Sequence, residues 1–114
     1  MELLVFSPDD FHPRSHFFDG PVMVGVQQAV GESPELVPGF TSISRHGAVH
    51  RCVAYYDRDA RRNGRPINAW GTALWHTALK RDGFERGLRR EGEVVADWLN
   101  GNVVVIYAWG LLGQ

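Results

Sequence analysis

Cysteine, lysine and long apolar runs are what this chain is short of. Cys52 is the single cysteine among 114 residues. No internal disulfide can form, which suits a reducing cytoplasm. Lys80 is the single lysine, and the other eleven basic residues are arginine. That skew reads as the coding bias of a GC-rich genome more than as chemistry, although arginine does grip phosphate and carboxylate through two parallel bonds. No apolar run approaches the roughly 18–20 residues of a membrane span. The opening MELLVFSPDD has no basic stretch and meets two aspartates quickly, which argues against a signal peptide. A Gly-rich phosphate loop, a nucleophile elbow and paired carboxylates on one element are missing too. Any catalytic reading therefore needs residues that converge from distant segments. The expectation is a cytoplasmic, non-enzymatic protein with no membrane association and no cofactor.

What is present is material for a core. Apolar residues make up 44% of the chain, with four Trp, six Phe and three Tyr, and charged residues 22%. These proportions describe one ordinary globular domain over residues 1–114. The formal charge of −1 is too balanced for a general nucleic-acid binder. It hides an asymmetry. Residues 1–40 hold Arg14 against six acids, for a net −5, and residues 41–114 carry a net +4. Such a split marks self-association, a localised basic patch or simply two solvated faces.

Along the chain, residues 2–6 read as a strand and 7–20 as a long, partly packed arm rich in Pro, Asp, His and Gly. Pro21 is placed to open a helix in which Val22, Val26, Ala29 and Val30 share a face, with Gly31 as its stop. Residues 35–44 and 48–56 read as strands joined at Arg45-His46-Gly47. Residues 57–66 form an Arg-rich loop with Asn63-Gly64 at its turn. Asn68 then caps a helix from Ala69, closed by Asp82-Gly83. The charged segment 81–93 reads as an insertion, with 84–93 a helical turn or loose stretch, and 94–99 as a short helix or extended piece. After the Asn100-Gly101 turn, 102–109 is a buried strand carrying Val103-Val104-Val105-Ile106. The order β-α-β-β-α-β predicts an α+β domain: a mostly antiparallel sheet with its helices packed on one face.

Four stretches, in this order, resemble a known family: GVQQAVG followed by ELVPGF, then VAYYDRD, RPINAWGTALW and WLNGNVVVI. Together they look like the phage and plasmid family called Domain of Unknown Function 3846, over about residues 25–108. The chain departs from that pattern at VGESPELV, in the arm 7–20 and in the Arg-rich stretch near 81–91. The resemblance implies a phage-type protein acting in an infected host cell. It brings no catalytic residues, and its link to anti-restriction proteins is one of association.

Several constellations carry candidate chemistry. Asp9, Asp10, His12, His16 and Asp19 are metal-ligand types that would serve a metal-dependent hydrolase. Pro13 opposes a regular helix through both histidines, so a solvated turn is favoured and no metal is expected. Arg45-His46-Gly47 matches the core triplet of histidine phosphatases, but here it falls at a hairpin turn. His46, His50 and Cys52 lack a fourth zinc ligand, and Cys52 reads as a buried structural thiol. Arg58, Arg61, Arg62 and Arg65, with Tyr55, Tyr56, Lys80, Arg81, Arg86, Arg89 and Arg90, could meet phosphates and stack bases. Trp70 and Trp75 diverge by about 140° on a helix, so one suits the core and the other a partner. With Phe17, Phe18 and the loop arginines they form the expected partner-binding set, since Trp and Arg are enriched at interface hot spots. The primary expectation is a host or phage protein as partner, its functional surface occluded. Nucleic acid and a homodimer are the other partners the composition allows.

Overall fold

A computed structural model describes residues 1–10, 12–83, 88–90, 93–96 and 98–108, with 88–90 and 93–96 described by their backbone path. In chain order the elements are β1 (Glu2–Phe6), β2 (Arg14–Phe17), α1 (Val22–Val30), β3 (Pro34–Leu36), β4 (Ser42–Arg45), β5 (Ala48–Asp57), α2 (Ala69–Asp82), β6 (Leu88–Arg90), β7 (Glu93–Ala96) and β8 (Val103–Tyr107). Six strands make one sheet in the order β2-β1-β8-β5, with β3 and β4 both paired to β5. Every pairing is antiparallel. This is the α+β domain expected from the sequence.

β8 explains the layering. All five of its residues are buried, and a strand's side chains alternate between faces. An unbroken apolar run therefore demands a cover on each side. Leu4, Phe6, Cys52, Ala54, Tyr56, Val103 and Val105 pack with Trp75, Ala78 and Leu79 of α2. Leu3, Val5, Val104 and Ile106 pack with Val22, Val26, Ala29 and Val30 of α1. The helices thus lie on opposite faces of the sheet, which corrects the expectation of a single helical face.

Local chemistry places both helices. Pro21 precedes α1 with φ −60° and ψ 133°, extended and not yet helical, and the N–H of Gly31 closes the helix on the Gln27 carbonyl. Gly25 lets α1 approach closely, since a Cβ there would come within 2.9 Å of the Phe18 ring and 3.0 Å of Leu3. Asn68 caps α2 by accepting from the Gly71 N–H, and Gly83 ends it in the left-handed region.

The element order differs from the expected one in three places. The arm 7–20 contains β2, a strand with all four residues exposed and so without the apolar alternation that marks a strand in sequence. The strand expected over 35–44 is split, because Pro38 has no N–H and Gly39 turns at φ +75°. That turn throws Phe40 into the core. In the charged segment, 88–90 and 93–96 pair as an antiparallel ribbon with a register irregularity, replacing the helical turn or loose stretch. Residues 84–87, 91 and 92 lie outside the described residues, as do Phe11 and Trp109.

Candidate functional site

The Arg-rich loop is a built structure. Asp57 Oδ1 accepts from the Asp59 N–H at 2.9 Å, and the Arg65 N–H returns to the Ala60 carbonyl. The loop is fastened to the turn before β8: Asn100 Nδ2 donates to the Arg65 carbonyl at 3.0 Å, and the Gly101 N–H to that of Pro66. Asn68, fully buried, joins the neighbouring pieces. Its Nδ2 donates to the carbonyls of Phe6 at 2.8 Å and Gly101 at 2.9 Å while Oδ1 caps α2. Buried amides satisfied this fully hold backbone segments in one arrangement.

On that frame stands an aromatic and cationic surface. The Arg61 guanidinium lies over the Trp98 ring, 4.5 Å from its centroid. Its Nε donates to Asn100 Oδ1 at 3.3 Å and Nη2 to the Trp98 carbonyl at 3.4 Å. Trp98 remains 38% exposed, Trp70 48% and Ile67 56%. Ile67 bridges Asn100, and the Leu99 N–H donates to Thr72 Oγ1 of α2 at 2.9 Å. The segments bearing Ile67, Trp70 and Trp98 therefore meet here. Arg58 and Arg62 form exposed pairs with Glu35 (3.9 Å) and Asp59 (3.0 Å), contacts of little energetic weight. Trp98 stands outside the set expected from the sequence, because nothing near it in the chain marks it as exposed beside an arginine. Only the docking of 57–68 against 98–101 brings it beside Arg61.

The remaining expected contacts lie elsewhere. Trp75 is completely buried, and its Nε1 donates to the Pro38 carbonyl at 2.8 Å, so it belongs to the core and is corrected as a partner contact. Tyr56 is buried against α2, and Tyr55 is half-buried toward α1 on the opposite face. Tyr56 therefore cannot stack on a base, and the two rings cannot form one platform. Arg81 sits in the last turn of α2, where Nη1 donates to Ser42 Oγ. Along the helix it lies about 18 Å from Ala69, the end of α2 that follows the Arg58–Arg65 loop. Arg86 lies outside the described residues. So do the side chains of Arg89 and Arg90, whose backbone forms β6. Phe17 pairs with Glu2 at the other end of β1 from Phe6, and Phe18 packs under α1. There a groove of about 480 Å³ is lined by Leu3, Val5, His16, Phe18, Gly25 and Asn102 among others.

The other motifs resolve into structure. Among the described residues no three His, Cys, Asp or Glu side chains gather as a metal-ligand group, and Asp10 is paired with Arg14 at 2.9 Å. His46 occupies the hairpin turn at φ +54°, followed by Gly47 at +78°. Arg45 donates to Tyr107 Oη at 3.0 Å and lies 3.7 Å from Glu2. The Tyr107 bond is the main cause that holds its guanidinium above the ordinary arginine pKa. His50 meets the Tyr107 ring edge-on at 5.1 Å, and Ser15 donates to Glu2. This polar cluster draws one residue from each of five strands, so it is invisible until their pairing is known. Its members bind one another and tie the strand ends together. Burial pushes the Cys52 thiol up to about 12, the mark of an inert structural cysteine.

Comparison with known protein families, curated proteins and solved structures finds no match to this chain.

Proposed function

We propose that this chain acts by binding and not by catalysis, as a phage-type accessory protein that covers a functional surface of a host or phage protein. The observation that carries the reading is the exposed Trp98 ring stacked under Arg61, with the exposed Trp70 in the first turn of α2, on a frame locked by Asn68 and Asn100. Trp and Arg supply the largest share of interface hot spots. A preformed frame spares the ordering cost that weakens a flexible binder. The matching partner offers an apolar pocket for an indole, rimmed by carboxylates for Arg61, Arg62 and Arg65.

The test is capture from host lysate by the intact chain, with mass-spectrometric identification, followed by affinity measurement for the captured protein. Trp70→Ala and Trp98→Ala are each expected to weaken binding by about 2 kcal/mol, some 30-fold, the scale of a hot-spot truncation. Their thermal unfolding stays close to the parent's. Wild-type affinity in both folded variants overturns the assignment. A nucleic-acid reading draws on the same exposed Trp98 ring and the arginines of residues 58–65. It predicts binding to DNA or RNA that falls steeply with added salt, and a captured partner that resists salt decides against it.

A further inference from the structure

The sheet has two edges of different character. Where β3 and β4 lie, Pro34 opens one short strand and the Pro38-Gly39 turn breaks the line between the two. Such interruptions stop a sheet edge from recruiting another strand. At the other edge β2 runs in unbroken register with β1: Glu2 opposite Phe17, Leu3 opposite His16, Leu4 opposite Ser15 and Val5 opposite Arg14. Its four residues are all exposed, and Phe17 at 82% is the most exposed large apolar residue among those described.

The hydrogen-bond phase of this ladder follows from its last pair. The Phe18 N–H donates to the Met1 carbonyl at 2.8 Å, and the Met1 amino group to the Phe18 carbonyl at 3.3 Å. Antiparallel pairs alternate between bonded and non-bonded. Phe18, His16 and Arg14 therefore spend their backbone groups on β1. Ser15 and Phe17 point theirs outward, and among the described residues no strand pairs with that side.

We infer that β2 is a self-pairing edge, at which a second copy of this chain adds its own β2 antiparallel about a two-fold axis at His16. In that register Ser15 of each copy lies opposite Phe17 of the other. The outward N–H and C=O groups of both residues are then consumed in four new bonds. The two Phe17 rings become diagonal neighbours on one face, a separation that aromatic side chains bridge. Arg14, 69% exposed and also paired with Asp10, comes opposite the strand end carrying Phe18 and Asp19, so each end of the pair brings a guanidinium toward a carboxylate of the other copy. A foreign strand could use the same donors, but only a self-pair covers both exposed rings with one isologous contact. The interface is small, so the association is weak and concentration-dependent. It is independent of the Trp70/Trp98 surface and presents two copies of it.

The experiment is sedimentation of the intact chain from micromolar to millimolar concentration, with backbone amide exchange followed at both ends. The wild type is expected to pass from monomer to dimer, with protection gained at the Ser15 and Phe17 amides. Phe17→Pro removes an outward N–H together with the exposed ring but no donor of the β1 ladder, and is expected to remain monomeric throughout. Phe17→Lys, a change at an exposed side chain, is expected to do the same, and it decides the matter should the proline variant unfold. A wild type that stays monomeric to millimolar concentration, or a dimer that survives in the folded variants, overturns the inference.

Discussion

Trp70 and Trp75 differ by five positions, and a helix turns that spacing into about 140° of rotation. One indole is nearly half exposed, while the other is sealed between the sheet and the Pro38 turn with its N–H satisfied. The same substitution at the two sites should therefore have opposite signatures. Trp75→Ala empties a fully buried site and is expected to cost about 3–5 kcal/mol, much of the roughly 5–15 kcal/mol that holds a domain folded. A urea titration reads this as a large fall in midpoint. A Trp75→Ala midpoint near that of Trp70→Ala would contradict the burial. Failure of partner capture in the Trp75 variant would report unfolding and nothing about the interface.

At the scale of elements, the hairpin between β4 and β5 shows why a motif is read by its backbone. Arg45 pairs with Ala48, so His46 and Gly47 form a two-residue turn with both φ values positive. This is the geometry that Asn-Gly adopts most readily. His46→Asn is expected to stabilise the chain by about 0.5–1 kcal/mol, seen as a higher melting temperature, because asparagine tolerates the left-handed region better. A drop in melting temperature would show that the imidazole supports the fold in some other way. This turn, the Asn68 cap, the face of α1 and the core strand β8 were legible in sequence, since each rests on chemistry between near neighbours. β2 and the break between β3 and β4 were not, because pairing across the sheet decides them. The Glu2–Arg45–Tyr107 cluster and the Arg61–Trp98 contact were hidden for the same reason. The side of the sheet on which each helix lies was implicit in the apolar run of β8, but it needs the period-two argument applied to both faces.

For the whole molecule, one sheet separates two apolar layers, and β8 contributes to both. Damage to one layer should then open the other, and Cys52 can report it. The thiol is 5% exposed on the α2 side and pushed up to about 12 from 9.0 by burial. A raised folded-state pKa contributes stability that is fully present below the unfolded value and lost as pH rises toward the folded one. Stability should therefore decline between pH 9.0 and about 12, and Cys52→Ala should remove that part of the decline, with urea titrations along the pH series as the measurement. Near pH 8 the folded thiol is protonated and shielded, so a thiol reagent modifies it only after opening. Val26 lies fully buried in the α1 layer, on the face of the sheet away from Cys52. If the layers unfold as one, Val26→Ala accelerates labelling by the whole of its destabilisation, about 2 kcal/mol or some 30-fold, because modification follows the open population when reclosing is fast. A labelling rate unchanged in that variant, alongside a lowered urea midpoint, would mean that α2 lifts from its face independently. The shared central strand would then hold two separable layers and not one cooperative core.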